Sequence, residues 1–420
     1  MRKTYTRTAA QGADPEVSNE RHMSHPLING IGIATNYVTR CARARTPKER
    51  EAMLWLTRYA LTLDLTQDAL AGMLHMDRVA IREALTNPEG DISQFVRAVG
   101  ELRAGFSHAL YATGPDRAKH PSNPFHPRMP WHEACAKPAD TLVFRKVRSA
   151  FKLALSKPVF VEVQGLERLG KTISLRHHFL ANMDRAAWID APVGRTELDW
   201  LRALATGLGV GIGTAMKAAQ IRPKIEACLG PGKIEVIVVD EAHKLLPRDL
   251  RQRPDRLEDL RSYLDRFGVS TILGTTPQFA EMISTMVALA DGGESFWRPG
   301  QHIGRRQAYD LPETLAAEDL EAIALWHGPA LTNAMVGELV AWAKADPGYI
   351  GTMVNIIKRA ESQADGDITM KDLETAKGFV AREARMAALA NAGKGKVVLM
   401  PRTTRKTIVL GANQLTGRVA

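Results

Sequence analysis

Cysteine is nearly absent from this chain of 420 residues: Cys41, Cys135 and Cys228 stand far apart, with no C-x-x-C pair. That excludes a disulfide framework and a cysteine-ligated zinc site, and it fits a reducing cytoplasm. Aromatic residues make up only 6%, which argues against an aromatic-lined sugar or peptide groove. Long apolar runs are missing too. The longest stretch without Lys, Arg, Asp or Glu is His22–Thr39, and its two His, two Asn, Ser and Pro exclude a membrane span. Met1–Ala10 carries Arg2, Lys3 and Arg7 with no apolar run behind them, so no signal peptide is expected and the chain reads as cytoplasmic. Acidic residues are lacking from residues 391–420, which hold six Lys/Arg.

What is present is ordinary for a protein that buries real cores, with 45% hydrophobic and 24% charged residues. At roughly 150 residues per domain, the length predicts two or three domains. The net charge of +10 is uneven, because residues 1–50 hold nine Lys/Arg against four Asp/Glu and the other end is wholly basic. Basic ends around a near-neutral body suit a polyanion partner through counterion release, or equally a solvated tail.

Patterning divides the chain into six stretches. Residues 1–46 read as a disordered or basic arm, and 47–106 as a helical domain with apolar residues at three- and four-residue spacing. Residues 107–139 form a proline-rich linker. Residues 140–311 open with a helix over Leu142–Leu155 and then alternate β-rich runs with helical ones. The runs are Val159–Val163, Ala187–Ile189, Val236–Val239, Ser270–Leu273 and Ala308–Leu311, an alternation that predicts an α/β fold with a parallel sheet flanked by helices. Only helical patterns follow over 312–386, and 387–420 is a basic tail.

Two motifs carry chemistry. Gly165, Leu166, Glu167, Arg168, Leu169, Gly170, Lys171 and Thr172 spell G-x-x-x-x-G-K-T between a strand run and a helical run, the context a phosphate loop requires. Backbone N–H groups wrap the phosphate oxygens, Lys171 reaches the β- and γ-phosphates of ATP, and the Thr172 hydroxyl coordinates Mg2+. Further on, Val236–Val239 ends in Asp240 and Glu241. A buried parallel strand presents such residues at its carboxyl end, where ligands bind. Asp240 is expected to hold Mg2+ through water, and Glu241 to polarise the attacking water, which together predict an ATP hydrolase. Glu241-Ala242-His243 completes the letters D-E-A-H, yet no other helicase motif accompanies them.

The strand run Ser270–Leu273 ends in Gly274-Thr275-Thr276-Pro277. With it, the order of parts resembles an AAA+ P-loop ATPase over about Leu142–Arg385. The resemblance implies a core with a helical lid and a polar sensor on this strand, Thr275 first and Thr276 beside it. It also implies an arginine acting on a neighbouring subunit's γ-phosphate, with Arg305 favoured among Arg298, Arg305 and Arg306. Two positions depart from the family. Arg168 stands two before Gly170 where glycine is usual, and Gly351 in Pro347-Gly348-Tyr349-Ile350-Gly351 takes the place of the second-sensor arginine. Slow hydrolysis, or a charge from Lys358, Arg359 or another subunit, is the consequence.

Leu65–Leu85 resembles a lambda-repressor-like helix-turn-helix. Thr66 and Asp77 suit the caps, Met76 the turn, and Ile81 with Leu85 the inner face, which leaves Arg78, Val79, Arg82 and Glu83 outward. Gln67 would touch DNA backbone while Arg78, Val79 and Arg82 enter a major groove; a small helical bundle for protein contact is the other reading. His75 replaces the glycine usual in that turn.

The order helix-turn-helix, linker, AAA+ core resembles the bacteriophage Mu B / TnsC-type family of DNA-transposition ATPases. That likeness implies assembly as a homo-oligomer, ring or filament, on double-stranded DNA and stimulation of a transposase or integrase partner, with no membrane role. It also implies basic loop residues that line DNA, Arg195 being the nearest match. A replication initiator or helicase loader, and a nucleotide-switched transcription regulator, are the alternatives.

Overall fold

The computed structural model describes residues 27–28, 33–34, 38, 41–63, 65–111, 138–194, 196–295, 297, 304–345 and 349–392. The arm up to residue 26, most of the proline-rich linker, Arg195, Arg298, the Pro347-Gly348 pair and the tail beyond 392 lie outside them. The chain divides into two compact units, Met1–Leu315 and Ala316–Ala420.

The first unit opens with an antiparallel pairing of Leu27–Ile28 with Ile33–Ala34. Four helices come next: α1 (Pro47–Thr62), α2 (Gln67–Leu74), α3 (Arg78–Thr86) and α4 (Ser93–Tyr111). Thr46 and Glu49 close a reciprocal capping box at the start of α1, with Pro47 in the first turn, so three successive residue choices agree on where that helix begins. Trp55 stacks on Tyr59 at 4.8 Å and Phe106 meets Tyr59 edge-on at 5.1 Å, which locks α1 to α4. The helical bundle is tied to the Met183-Asp184 turn, more than a hundred residues on from α1. Arg58 donates to the carbonyl oxygens of Asp184 and Met183, and Arg103 bridges Glu51 at 2.6 Å and Asp184 at 3.3 Å.

After α5 (Leu142–Ser156) come five strands: β1 (Phe160–Gln164), β2 (Ala186–Ile189), β3 (Val236–Val239), β4 (Ser270–Thr275) and β5 (Arg306–Asp310). All neighbours are parallel, in the order β2-β3-β4-β1-β5. The core of Met1–Leu315 is thus an α/β P-loop fold. Strand β3 is four β-branched residues, all buried, as a central parallel strand demands. Helices α6 (Lys171–Ala181), α7 (Glu197–Gly207), α8 (Ala218–Glu226), α9 (Asp255–Phe267) and α10 (Pro277–Asp291) cover the sheet. Trp200, Leu204, Tyr263, Phe279 and Met286 are buried among the strand residues Ile237, Val239 and Leu273.

Only β3 keeps the bounds read from the sequence; β2 starts one residue earlier, at Ala186, and β4 runs two residues further, to Thr275. β1 begins and ends one residue later than the run Val159–Val163, and β5 is Arg306–Asp310, not Ala308–Leu311. As an edge strand with mostly exposed side chains, β5 has no apolar signature, whereas Leu311 is buried beneath the phosphate loop.

The second unit is helical: α11 (Ala317–His327), α12 (Asn333–Ala345), α13 (Tyr349–Gln363) and α14 (Met370–Ala392). Leu320, Leu339, Ile356, Ile357 and Leu373 form its buried interior. Gly351 lies exposed in α13, and Arg359 pairs with Glu383 of α14 at 2.6 Å. Among the described residues no helix is long and apolar enough to cross a membrane.

Candidate functional site

The register of the sheet brings the chemistry-bearing residues together. β1 lies beside β4 with Gln164 opposite Thr275, and β4 lies beside β3 with Leu273 opposite Val239. The residues that succeed these three strands, Gly165, Asp240 and Thr276, therefore emerge at one end of the sheet. This is the crevice outside the carboxyl ends of parallel strands.

The phosphate loop turns through two left-handed residues, Arg168 (φ 64°) and Gly170 (φ 84°), before α6 starts at Lys171. Glycine takes this conformation at no cost, while arginine is strained in it by about 1 kcal/mol. The departure at Arg168 thus leaves the loop with the backbone a glycine would supply, at the expense of some stability. Arg168, Leu166 and Glu167 point to solvent and Leu169 is buried, so the loop is pinned by one apolar anchor with polar residues to either side. Gly165 is required for space, since a Cβ there would meet Leu311 Cβ at 2.8 Å.

Lys171 is buried, and its ammonium donates to the carbonyl oxygens of Gly165, at 2.9 Å, and of Thr275. Burial pushes its pKa below the usual lysine value, while Asp240, Glu167 and Glu241 pull the other way. The Thr172 hydroxyl donates to Asp240 Oδ2 at 2.6 Å, so the residues with the two metal-binding roles expected from sequence are in contact. Hard oxygen donors, a hydroxyl and a carboxylate, suit Mg2+, which keeps most of its waters and takes few protein ligands. A phosphate-bound Mg2+ would supply charge neutralisation, and Thr172 and Asp240 are the residues that would hold it. Asp240 is itself fixed, its Oδ1 accepting from the Glu241 N–H at 2.9 Å, and Glu241 is held in a left-handed conformation (φ 52°). Gly274, beside it on β4, leaves the room: a Cβ there would stand 2.3 Å from Asp240 Oδ1.

Glu241 is exposed and forms an ion pair with Lys244 one turn on; that hydrogen bond holds its carboxyl below the usual range. Sequence reasoning missed Lys244, although its i, i+3 spacing from Glu241 was visible. The two sensor candidates part company. Thr275 is buried, its hydroxyl turned to the Val163 carbonyl at 3.4 Å and its own carbonyl occupied by Lys171. The Thr276 hydroxyl, one residue further along, is buried with no hydrogen-bond partner. β4 ends at Thr275, and Thr276 stands at the start of α10, so the two adjacent hydroxyls sit in different surroundings.

The arginines lie elsewhere. Arg306 is opposite Phe160 at the amino end of the strands and pairs at 3.0 Å with Glu162, which is 0% exposed in β1. Arg305 precedes it and pairs with Asp265 of α9. At ~3.3 Å per residue, five residues separate Arg305 from the crevice end of β5 by about 16 Å, so it cannot touch this chain's own phosphate loop.

In the helical bundle, α2 and α3 are joined by His75–Asp77, with His75 left-handed (φ 49°, ψ 41°) at the end of α2. Thr66 caps α2 through the Ala69 N–H at 3.2 Å, and Asp77 caps α3 through the Val79 N–H at 2.9 Å. Ile81 and Leu85 are buried, whereas Arg78, Val79, Arg82 and Glu83 are exposed and Gln67 is half-buried. Arg78 is tied to Asp68 of α2 by an exposed ion pair.

A parallel sheet in the order β2-β3-β4-β1-β5, with a phosphate loop after β1 and an acidic pair after β3, defines a P-loop nucleotide-binding protein. Residues 156–283, from the end of α5 into α10, match the family described as an AAA domain, so this stretch is an ATPase domain of the AAA type. The match stops short of Arg305 and of the second unit. No curated protein matches the chain.

Proposed function

We propose that this protein is an ATP-dependent DNA-binding ATPase that assembles on duplex DNA and delivers target DNA to, or activates, a transposase or integrase. The observation that carries the reading is a pairing within one compact unit. There Lys171, Thr172 and Asp240 form a nucleotide grip, and Arg78, Val79 and Arg82 stand outward on α3 in helix-turn-helix geometry. The basic ends of the chain suit the same polyanion.

In this reading the loop Gly165–Thr172 holds ATP, and Thr172 and Asp240 would hold Mg2+, which would supply charge neutralisation there. Glu241 takes a proton from the attacking water, and the Thr276 hydroxyl, with Thr275 behind it, orients that water. Arg305, remote from its own loop, serves the γ-phosphate of a neighbouring copy, which makes turnover depend on assembly. Gln67, Arg78, Val79 and Arg82 contact DNA; Arg195 is a further candidate, outside the described residues.

Sedimentation of the protein with duplexes of unrelated sequence, with and without ATP, tests the reading. ATP-dependent, cooperative co-sedimentation with little sequence preference is expected. Strong preference for one sequence would favour a transcription regulator, and capture of a replicative helicase in place of a transposase would favour a helicase loader.

A further inference from the structure

The phosphate-loop helix is held at both ends, and only its front end takes part in the nucleotide chemistry. α6 runs 11 residues from Lys171 to Ala181, about 16 Å at ~1.5 Å per residue. The turn that follows is tight. The Asn182 carbonyl accepts from the Arg185 and Ala186 N–H groups at 2.9 and 2.8 Å, and the Asn182 side-chain amide donates to the His178 carbonyl at 2.8 Å. A displacement of Met183 or Asp184 therefore passes into the helix instead of being absorbed by the turn.

Two faces of α6 are restrained differently. Against α5, Phe144 stacks on His178 at 4.6 Å and Phe151 meets the same ring at 5.6 Å. Toward α1 lies a cavity of about 200 Å3, lined by Phe179 and Leu180 of α6, Arg58, Leu61 and Thr62 of α1, and Trp188 of β2. Side chains that border a void lose the contacts that would fix them, so packing does little to hold α6 on that side. The restraint there comes from polar contacts at the rear end. Arg58 Nη1 donates to the Asp184 carbonyl and, at 3.4 Å, to that of Met183, while Arg103 ties the Asp184 carboxylate, at 3.3 Å, to Glu51 of α1. Arg58 forms no ion pair among the described residues, and burial pushes its pKa below the usual arginine value. A half-buried guanidinium held chiefly by carbonyls is costly to detach from them.

We propose that Arg58 is a positioning residue of the ATPase: from the helical bundle it holds the rear of α6, and so fixes where Lys171 and Thr172 meet the nucleotide. The proposal rests on residues 156–283 being an ATPase domain, and it does not depend on what the bundle binds. A helix this short is stiff, so a shift at Met183-Asp184 reappears at Lys171. There the ammonium must exchange the Gly165 and Thr275 carbonyls for phosphate oxygens, which needs the helix end in the right place. The bundle and the nucleotide thus bias one element from its two ends. Linkage is reciprocal, so a hold that favours ATP is itself strengthened by ATP.

Calorimetric titration of ATP with Mg2+ measures the hold, with melting midpoints read alongside. Arg58→Met is expected to weaken ATP binding roughly tenfold, within the range typical of coupled sites. Arg58→Lys is expected to stay within about threefold of the wild type, because Nη1 alone makes both bonds and one ammonium can replace it. Leu61→Ala enlarges the cavity and touches neither carbonyl; it is expected to lower the melting midpoint and leave ATP affinity within about twofold. In the full-length wild type, ATP is expected to slow amide exchange in α1 severalfold. Wild-type affinity in Arg58→Met overturns the proposal, and so does exchange in α1 that ATP leaves unchanged. An equal loss in Leu61→Ala, or in Arg58→Lys, also overturns it, by tracing the effect to packing rather than to the bonds Nη1 makes. Should Arg58→Met not fold, Arg103→Gln, which frees the Asp184 carboxylate, carries the test: a loss of about threefold supports the hold, and wild-type affinity overturns it. A wild type that binds no ATP overturns the nucleotide site itself, and this proposal with it.

Discussion

Gly274→Ala is the most searching perturbation of the site, because it changes no functional group and acts only through shape. The added methyl would sit 2.3 Å from Asp240 Oδ1 and 3.0 Å from Leu175 Cδ1. A carbon–oxygen contact needs ~3.3 Å, so the carboxylate has to move by about 1 Å. It has little freedom to do so, being held by the Glu241 N–H at 2.9 Å and the Thr172 hydroxyl at 2.6 Å. A shift of that size breaks at least one of the two bonds. Misplacement by about 1 Å costs up to ~100-fold in function, so a loss of roughly 10- to 100-fold in Mg2+-dependent ATP affinity or in kcat/KM is expected. Overpacking adds about 1–3 kcal/mol of destabilisation, read separately in the melting midpoint. Asp240→Ala removes the atom the methyl meets, so adding Gly274→Ala to it should cost little more. Wild-type Mg2+-dependent affinity and turnover in Gly274→Ala would refute the reasoning that Asp240 and Thr172 act as one unit.

Other expectations rest on single contacts. Glu241→Gln should bind ATP as the wild type does while slowing turnover at least ~100-fold, giving long-lived DNA complexes; equal single-turnover rates would remove Glu241 as the base. Arg306→Ala should lower stability by about 2–4 kcal/mol, because it deprives the buried Glu162 of its ion pair. Arg305→Ala, by contrast, should stay within ~0.5 kcal/mol while turnover of the DNA-assembled protein falls about 1000-fold; denaturant melts and ATPase assays separate the two. His178, buried against Phe144, has its pKa pushed down from 6.5 to about 4, chiefly by burial. Its contribution is therefore complete above pH 6.5 and is lost as pH falls from 6.5 to about 4, roughly 3 kcal/mol in all. His178→Phe should flatten that part of the stability profile, and an unaltered slope would contradict the assignment.

The parts of this fold legible in the sequence are those written in consecutive residues. Val236–Val239 and the two acids after it, the loop Gly165–Thr172, and the caps Thr66 and Asp77 are local patterns with local causes. The parts that were not legible depend on partners far away in the chain. Which of Thr275 and Thr276 keeps an unbonded hydroxyl depends on the fold around them, since Thr275 closes β4 and bonds the Val163 carbonyl while Thr276 stands at the start of α10. β5 escaped its true position because an edge strand needs no apolar face, so the buried Leu311 drew the reading two residues along. Arg305 and Arg306 look alike in sequence. They separate only because alternation along the chain turns Arg306 toward Glu162 and Arg305 toward Asp265. Glu162 itself, a carboxylate inside a buried strand, gave no signal without its distant arginine. The Arg168 departure is resolved by one backbone angle, which no pattern of residue types reports.

Calorimetric titration of ATP with Mg2+ into the wild type and into Lys171→Ala tests the account at its root. The wild type should bind, and the variant, with its melting midpoint preserved, should show no measurable heat of binding. Equal affinity in the two proteins would mean that the lysine between Gly165 and Thr275 grips no phosphate, and the account would fail there.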